Sequence, residues 1–333
     1  MWKWTKRIVL GLSCFVVALL LSGVSYQFIS TKLDERAYPP PGQLVDIGGY
    51  RLHMNCSGEG SPTVVFDSGF GCNSLEWTLV QSEVSKFSRA VSYDRAGQGW
   101  SETSPQERTS QNIVDELHLA LKNAEISGPY ILVGHSFGGI NVLLYASRYP
   151  DEVAGVVLVD SSHEDVEEKF PPMPKPNLAV LSFLTRIGGT RLITHLPSYK
   201  KGLEVFPVNI QKMVLAKIAT DRSVNSCLKE ASVLDKSLSQ LKVAGGSLGN
   251  KPLIVISAGK SLGEQASGLS EEIATQMTEA WEMLQKDLVT KSTNGRQIIA
   301  EQSGHMIPHE QPEIIVEAIR EMILSNKEIF YAK

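Results

Sequence analysis

The stretch LVGHSFGG, residues 132–139, sets one serine between two glycines directly after an apolar run. The apolar run is typical of a buried strand and the residues after Ser136 of a helix, so Ser136 falls in a sharp strand-to-helix turn. Bulky residues two positions away would clash in such a strained turn, which explains Gly134 and Gly138. The pattern G-x-S-x-G is a nucleophile elbow, and the helix N-terminus behind it favours a developing oxyanion. Ser136 is therefore the candidate nucleophile.

A serine needs a neighbouring base to act as a nucleophile near neutral pH. His305, in the stretch QSGHMIP at residues 302–308, directly follows the last predicted strand. A loop there reaches the same edge of the sheet as Ser136, because ligands bind outside the carboxyl ends of the strands in such sheets. His305 is therefore the predicted base. His135 adjoins the serine in sequence, so its side chain should point away, and we interpret it as structural.

The imidazole in turn needs a carboxylate that fixes its tautomer and stabilises its charged form. Asp160 ends the strand after the nucleophile helix, and Glu264 follows the next strand in the stretch SAGKSLGE. Both positions can reach the histidine loop. Asp160 is favoured because a strand end fixes its position, whereas Glu264 lies in a Gly- and Ser-rich segment. Glu264 as the acid, or neither residue with Asp160 capping a turn, remain the alternatives.

The oxyanion of an acyl-transfer reaction needs two N–H donors. One is predicted to be the backbone amide of Phe137, directly after the nucleophile. The other is assigned to the amide of Phe70 in the turn DSGFG, residues 67–71, whose glycines let the backbone approach closely.

Six short apolar runs are predicted strands, each followed by a turn and a helical stretch. Their apolar residues are continuous rather than alternating, which is typical of parallel strands buried on both faces. Residues 43–56 precede all six runs and alternate like a hairpin around Gly48 and Gly49. The alternation of strands and helices predicts an α/β layered fold. The six runs are residues 63–66, 90–93, 130–133, 155–159, 253–256 and 297–300.

One long insertion interrupts this alternation. Over 90 residues separate Val159 from Leu253, too many for a structureless loop in a compact domain. The insertion begins with several prolines between residues 171 and 176 and then becomes helical. We interpret it as a helical cap, at about residues 165–245, over the C-terminal edge of the sheet.

The N-terminus has the features of a membrane-spanning segment. Residues 1–7 carry three positive charges and no negative one, and residues 8–29 carry no charge. A helix of roughly 22 residues rises about 33 Å, enough to cross the hydrocarbon core. The flanking cations favour a cytoplasmic N-terminus, so residues 1–29 are predicted to anchor the catalytic domain on the extracytoplasmic side. The alternative is a signal peptide cut near residues 23–25, which would release a secreted protein.

The segment after the apolar run is predicted to be a linker. Residues 30–42 include three consecutive prolines, which prefer an extended conformation. The globular domain then covers residues 43–333.

Charge and cysteine content narrow the possible partners. The formal net charge is −4, from 32 Lys and Arg against 36 Asp and Glu, which argues against a nucleic-acid partner. Cys14, Cys56, Cys72 and Cys227 do not have the spacing of a zinc site, and no metal or organic cofactor is implied. In an oxidising compartment Cys56 and Cys72 can form a disulfide, and separate buried thiols are the alternative.

These motifs, taken together, resemble those of the α/β-hydrolase superfamily. The resemblance spans roughly residues 43–325 and implies a mostly parallel eight-stranded sheet with helices on both faces. It also implies a triad in the chain order serine, acid, histidine, and a cap between strands 6 and 7. The matching motifs are DSGFG at 67–71, YDRAGQGWS at 93–101, GHSFGG at 134–139 and SGH at 303–305.

Two departures from the superfamily's usual pattern affect the site. Ser68 and Gly69 stand where the oxyanion turn of many members begins His-Gly. The usual aspartate after the seventh strand is missing, which is part of the reason for favouring Asp160. Within the YDRAGQG motif, Asp94 and Arg95 are interpreted as structural residues that hold the loop under the elbow.

The resemblance implies a carboxylesterase-like serine hydrolase that cleaves a small-molecule acyl substrate through an acyl-enzyme. Dehalogenases and epoxide hydrolases of this superfamily use an aspartate nucleophile, so Ser136 argues against them. A cofactor-free C–C bond hydrolase uses the same serine and histidine and remains open. A non-catalytic binding protein of this fold is a further alternative, although such proteins commonly lose a triad residue and this chain has both Ser136 and His305.

Overall fold

A computed structural model describes residues 2–172, 177–261 and 270–331. Within these residues, eight strands form a single sheet. The strands are β1 (Gln43–Asp46), β2 (Arg51–Ser57), β3 (Thr63–Asp67), β4 (Ala90–Tyr93), β5 (Tyr130–His135), β6 (Val153–Val159), β7 (Leu253–Ala258) and β8 (Gly295–Ala300).

The sheet has the spatial order β1-β2-β4-β3-β5-β6-β7-β8. Strands β1 and β2 are antiparallel to each other, and β2 is antiparallel to β4. From β4 to β8 all neighbours are parallel. Every residue of β3 and β5 is buried, as the continuous apolar runs predict for strands covered on both faces. The prediction of a mostly parallel eight-stranded α/β sheet is confirmed.

The described residues form fourteen α-helices, several of which connect the strands and cover both faces of the sheet. They are α1 (Trp2–Ala37), α2 (Thr78–Val84), α3 (Ser110–Asn123), α4 (Phe137–Arg148), α5 (Val166–Lys169), α6 (Leu178–Arg186), α7 (Gly189–Ile193), α8 (Pro197–Lys201), α9 (Val208–Ile218), α10 (Asp221–Ser232), α11 (Leu234–Ala244), α12 (Glu271–Val289), α13 (Ile307–Glu310) and α14 (Pro312–Tyr331).

Two apolar clusters, one on each face, make up the core. On one face, α3 and α4 pack on the sheet, and Ile113, Leu117 and Leu121 of α3 lie along one side of that helix. On the other face, α2 and α14 contribute residues such as Val80 and Ile319. Because the sheet is held between these layers, the turns at its carboxyl edge are fixed in position.

The insertion between β6 and β7 is largely helical in its described part, with α5 to α11. Its last helix, α11, packs on α3 and α4, and Leu238 and Leu241 of α11 belong to the main core. Among the described residues, neither core cluster includes a residue of α6 to α10. We therefore propose that the cap expected at about residues 165–245 consists mainly of α6 to α10.

Helix α1 continues well beyond the apolar run. By length and composition it could cross a membrane, and its most apolar stretch of 18 residues is not buried against the rest of the protein. It ends at Ala37, shortly before the three prolines. The linker predicted for residues 30–42 is therefore wrong for residues 30–37, which are helical. Five of these eight residues are good helix formers, namely Lys32, Leu33, Glu35, Arg36 and Ala37. Asp34 also pairs with Arg191 of α7 at 2.6 Å.

Candidate active site

The elbow forms the turn between β5 and α4. Ser136 has φ 52° and ψ −120°, in a region that residues other than glycine rarely adopt. A Cβ on Gly134 would lie 2.6 Å from the Gly138 carbonyl oxygen, and a Cβ on Gly138 would overlap the Asp67 carbonyl. Both glycines are therefore required by close backbone packing around Ser136.

Ser136, His305 and Asp160 form one hydrogen-bonded row. His305 Nε2 lies 3.0 Å from Ser136 Oγ, and His305 Nδ1 lies 2.6 Å from Asp160 Oδ2. When Nδ1–H donates to Asp160, Nε2 carries the lone pair that can accept the Ser136 hydroxyl proton. The structure brings these three residues together at the carboxyl ends of β5, β6 and β8.

The Asp160 carboxylate is fully buried and bound on both oxygens. Its Oδ1 accepts from the N–H of Ala258 and from Nε1–H of Trp281, both at 3.0 Å, while Oδ2 faces His305. The Trp281 ring also contacts the His305 ring edge-on, with centroids 5.9 Å apart. These contacts hold the carboxylate in one orientation. Glu264, the alternative acid, lies outside the described residues.

The turn after β3 lies beside the elbow and carries Phe70. The rings of Phe70 and Phe137 meet edge to face, with centroids 5.6 Å apart. Within the part of the chain that the structure describes, neither of their backbone N–H groups donates to a protein acceptor. Both amides are therefore available to an oxyanion formed at Ser136.

Glu76 and His135 form a buried pair behind this row. His135 Nδ1 lies 2.5 Å from Glu76 Oε1, and Nε2 lies 2.8 Å from the His305 carbonyl oxygen. The second Glu76 oxygen accepts from the N–H of Gly69 at 2.8 Å. The pair thus links the turn that carries Phe70 to the backbone of His305. His135 points away from the serine hydroxyl, in line with its structural interpretation.

The Glu76–His135 pair is ionic. Burial by itself would raise the pKa of Glu76, but the charge and hydrogen bond of His135 lower it to about 2. Burial likewise opposes the charged form of His135, but the neighbouring Glu76 carboxylate raises the pKa of that imidazole. Each partner therefore favours the charged form of the other, although both side chains are buried.

Arg95 holds the carbonyl side of the same turn. Its Nη1 donates to Asp67 Oδ1 at 2.7 Å and to the Ser68 carbonyl at 2.6 Å. Its Nη2 donates to the Gly69 carbonyl at 2.8 Å. Its Nε and Nη2 also donate to the carboxylate of Glu230 on α10, at 3.1 and 3.3 Å. The buried guanidinium thus joins a helix of the insertion to the turn that carries Phe70.

Asp94 has a related structural role. Its carboxylate accepts from the N–H groups of Ser74 and Trp100, at 2.7 and 2.8 Å. These bonds tie the YDRAGQG loop to the segment after β3. Arg95 binds Asp67 and Ser68, whose backbone packs against Gly138 of the elbow, which is in line with the interpretation of Asp94 and Arg95 as structural residues.

The described cysteines and possible metal ligands form neither a disulfide nor a metal site. The four cysteines are free, with Cys56 exposed on β2 and Cys72 partly buried, so the structure has no Cys56–Cys72 disulfide. Among the residues described, no group of three or more His, Cys, Asp or Glu side chains is arranged to hold a metal ion.

The sequence analysis does not identify three residues that support the candidate site, namely Glu76, Glu230 and Trp281. None of them lies in a recognisable motif or at the end of a strand. Their partners at the site are 59, 135 and 121 residues away in sequence. No local signal identifies them, because only the folded chain brings these partners together.

Residues 64–318 match the alpha/beta hydrolase family, and the chain belongs to this family. The uncharacterized protein YqjL of Bacillus subtilis is 27% identical over 274 residues, which cover 82% of this chain and 88% of that protein. YbdG of the same organism is 27% identical over 197 residues, 58% of this chain and 61% of that protein. A 2-hydroxymuconate semialdehyde hydrolase of a Pseudomonas species is 33% identical over 127 residues, 37% of this chain and 44% of that protein.

Solved structures share the fold. The epoxide hydrolase CorEH matches with a TM-score of 0.61 and 18% identity, covering 85% of this chain and 98% of that chain. A thermophilic esterase from Thermogutta terrifontis matches with a TM-score of 0.56 and 20% identity, covering 83% of this chain and 94% of that chain. At these identities the likeness shows the fold alone.

Proposed function

We propose that the protein is a serine hydrolase that cleaves a carboxylic ester or related acyl bond of a small molecule. The observation that carries this proposal is the row of Ser136, His305 and Asp160, with distances of 3.0 and 2.6 Å. Among the described residues, the backbone amides of Phe70 and Phe137 have no protein acceptor, and both belong to turns beside this row. A nucleophile, a base, an orienting acid and two oxyanion donors are the parts that acyl transfer requires.

In the first half-reaction, His305 Nε2 accepts the Ser136 hydroxyl proton while Oγ attacks the carbonyl carbon of the ester. The resulting oxyanion accepts hydrogen bonds from the amides of Phe70 and Phe137. The tetrahedral intermediate then collapses, the carbon–oxygen bond to the alcohol breaks, and Nε2–H protonates the leaving alkoxide. An alcohol departs and the acyl group stays on Ser136.

In the second half-reaction, a water molecule replaces the alcohol. His305 Nε2 accepts a proton from this water, and the hydroxide attacks the acyl carbon. Collapse releases the carboxylic acid and returns the proton to Ser136 Oγ. Asp160 stays ionised throughout, fixes the Nδ1–H tautomer and stabilises the imidazolium that forms twice in each cycle.

Cofactor-free C–C bond hydrolysis by the same serine and histidine is the second candidate. The observation that favours it is the similarity to 2-hydroxymuconate semialdehyde hydrolase. A panel of simple esters separates the two candidates, because C–C hydrolases are generally slower on them. The non-catalytic alternative is disfavoured, since Ser136, His305 and Asp160 are all present.

We further propose that α1 anchors the protein in a membrane with the catalytic domain on the extracytoplasmic side. The proposal is supported by the three cations before an uncharged run and by a helix long and apolar enough to span a bilayer. Signal cleavage near residues 23–25 is the alternative. The intact mass of the protein recovered from the membrane fraction distinguishes a retained from a removed N-terminus.

The catalytic proposal is tested by hydrolysis of p-nitrophenyl esters of increasing chain length by the full-length protein in detergent. Ser136→Ala should abolish turnover and leave the melting temperature unchanged. Ser82→Ala, which changes an exposed serine of α2, is the matched control and should keep full activity. Undiminished hydrolysis by the Ser136→Ala protein would end the proposal.

A further inference from the structure

The helices α6 and α7, with the turn after them, expose an unusual number of large apolar side chains. These residues are 40 to 61% exposed, although a soluble protein rarely leaves such a surface open to water. We call them the apolar cap surface: Val180, Phe183, Leu184, Leu192, Ile193 and Leu196. Residues 180, 183 and 184 lie on one face of α6, because helical neighbours recur every three or four positions.

The apolar cap surface adjoins the end of the predicted membrane span. A Cβ on Gly23 of α1 would lie 2.6 Å from the Ile187 carbonyl oxygen, and one on Gly188 would lie 3.1 Å from the Tyr26 ring. Gly23 is six residues before Ile29, the last apolar residue of the uncharged run, and six residues rise about 9 Å along a helix. Ile187 and Gly188 form the turn between α6 and α7, which we call the α6–α7 corner. This corner therefore packs on the apolar part of α1, about 9 Å before its end. That distance lies within the depth of roughly 5–10 Å at which interfacial helices lie in a membrane.

Buried polar contacts fix the cap to α1 at this level. Gln27 is 3% exposed, and its Nε2 donates to the Ala219 carbonyl at 2.8 Å. Arg191 of α7 donates to Gln27 Oε1 at 3.3 Å and to Asp34 Oδ2 at 2.6 Å. Because these groups hold the insertion against α1 at several points, the depth of the α6–α7 corner is set by the depth of α1.

The charge of this part of the insertion suits an anionic surface. Between Glu168 and Glu204 the sequence has six Lys or Arg and no Asp or Glu. Arg186, Lys200 and Lys201 are exposed near the apolar cap surface. Exposed apolar side chains bordered by cations are typical of protein surfaces that lie among anionic lipid headgroups.

We infer that the apolar cap surface lies in the outer leaflet of the membrane that α1 spans, with its cations among anionic phospholipid headgroups. This inference rests on the proposed anchor and is independent of the proposed catalytic mechanism. The partner is the bilayer itself, because the surface continues from the lipid-facing apolar part of α1 and carries the charge that anionic lipids attract.

Fluorescence depth measurements test the inference on the full-length protein. Leu192→Cys and Ile193→Cys, each in a Cys14→Ser, Cys56→Ser background, are labelled with a nitrobenzoxadiazole dye. The protein is reconstituted in vesicles of phosphatidylcholine and phosphatidylglycerol. Val243→Cys is the matched control, because Val243 is an apolar residue of α11 that is 90% exposed. The background protein without the added cysteine measures labelling of Cys72 and Cys227.

We expect blue-shifted emission at both cap positions and loss of that emission when lipids with a doxyl group high on the acyl chain are added. The dye at Val243 should show the emission maximum of the dye in water, and the doxyl lipids should not quench it. Water-like, unquenched emission at the cap positions would overturn the inference. So would a blue shift that doxyl lipids leave unchanged and that disappears on dilution of the protein in the bilayer, because a second copy would then cover the surface.

The outcomes are separable from failure of the proposed function. The intact mass reports whether the N-terminus is retained, and the fluorescence does not depend on catalysis. An intact mass that shows removal of the span by signal cleavage would overturn the proposed anchor and this inference together. Water-like cap labels on a protein that retains its N-terminus would overturn this inference alone.

Discussion

The His135 imidazole lies behind that of His305, with its Nε2 2.8 Å from the His305 carbonyl oxygen and the two ring centroids 4.8 Å apart. The residue next to the proposed nucleophile therefore supports the backbone of the proposed base. Its other nitrogen binds Glu76, whose second oxygen binds the Gly69 amide. One buried ion pair thus positions both the base and the turn that carries Phe70.

We expect Glu76→Gln to lower kcat for ester hydrolysis by about ten- to a hundredfold, with a smaller effect on KM. The substitution removes a charge-assisted bond of roughly 1.5–3 kcal/mol, and that bond positions groups that act in the transition state. Steady-state kinetics measure the effect. Glu83→Gln, which changes an exposed glutamate of α2, is the control and should behave like the unaltered protein. An unchanged kcat in Glu76→Gln would show that the pair does not position the site.

The same pair should give the protein a defined pH dependence of stability. The pKa of Glu76 is lowered from 4.5 to about 2, so its contribution is complete above pH 4.5 and is lost as the pH falls toward 2. The pKa of His135 is raised above 6.5, so its contribution is complete below pH 6.5 and is lost as the pH rises through the folded-state pKa. The pair therefore stabilises the fold most between pH 4.5 and 6.5.

Urea unfolding of the unaltered protein and of His135→Gln measures this dependence. The difference between their free energies of unfolding should be larger at about pH 5.5 than at about pH 9. A difference that is equal at the two pH values would mean that His135 is neutral in the folded protein.

Asp160→Asn tests the orienting acid. The amide can donate to His305 Nδ1 and thereby select the wrong tautomer, so kcat should fall by about 10³–10⁴-fold while the fold is kept. Asp165→Asn is the control, because that carboxylate binds Lys242 at the surface and should leave the rate unchanged. If Asp160→Asn retains full activity, the acid is another residue, and Glu264→Gln becomes the next variant to measure.

Glu230→Gln tests the link between α10 and the oxyanion turn. Breaking a buried ion pair costs about 3–5 kcal/mol, so the variant should unfold at a clearly lower urea concentration. The rate should also fall, since Arg95 holds the Ser68 and Gly69 carbonyls. Glu107→Gln removes an exposed pair with Lys236 and should cost less than about 1 kcal/mol. Equal stability of the two variants would contradict a buried, coupled Arg95–Glu230 pair.

Much of the framework was predictable from local patterns. Apolar runs located six strands, and the five from β3 to β7 are buried as continuous runs predict. The expectation of burial is wrong for β8, because it lies at the edge of the sheet and only Ala300 in it is buried. The elbow glycines located Ser136, and the position after the last strand located His305. The convergence of Asp160 on His305 followed from its place at a strand end, while the catalytic roles of all three remain a prediction.

The parts that local patterns missed depend on contacts between distant segments. Helix α1 extends through residues 30–37, where Asp34 meets Arg191, and a linker composition does not show such docking. Glu76 reaches the site from a short 3₁₀ helix (Ser74–Trp77) and Trp281 from α12, and neither residue has a sequence signature. The role of a buried charged residue can be inferred only once its partner in the folded protein is known.

The central claim is that Ser136 is a nucleophile activated by His305, and a fluorophosphonate probe tests it most directly. The full-length protein in detergent is treated with the probe, digested and analysed by mass spectrometry. We predict one adduct, on the peptide that contains Ser136, which is lost in Ser136→Ala and strongly reduced in His305→Asn. An adduct on a different serine, or none on the folded protein, would contradict the proposed mechanism.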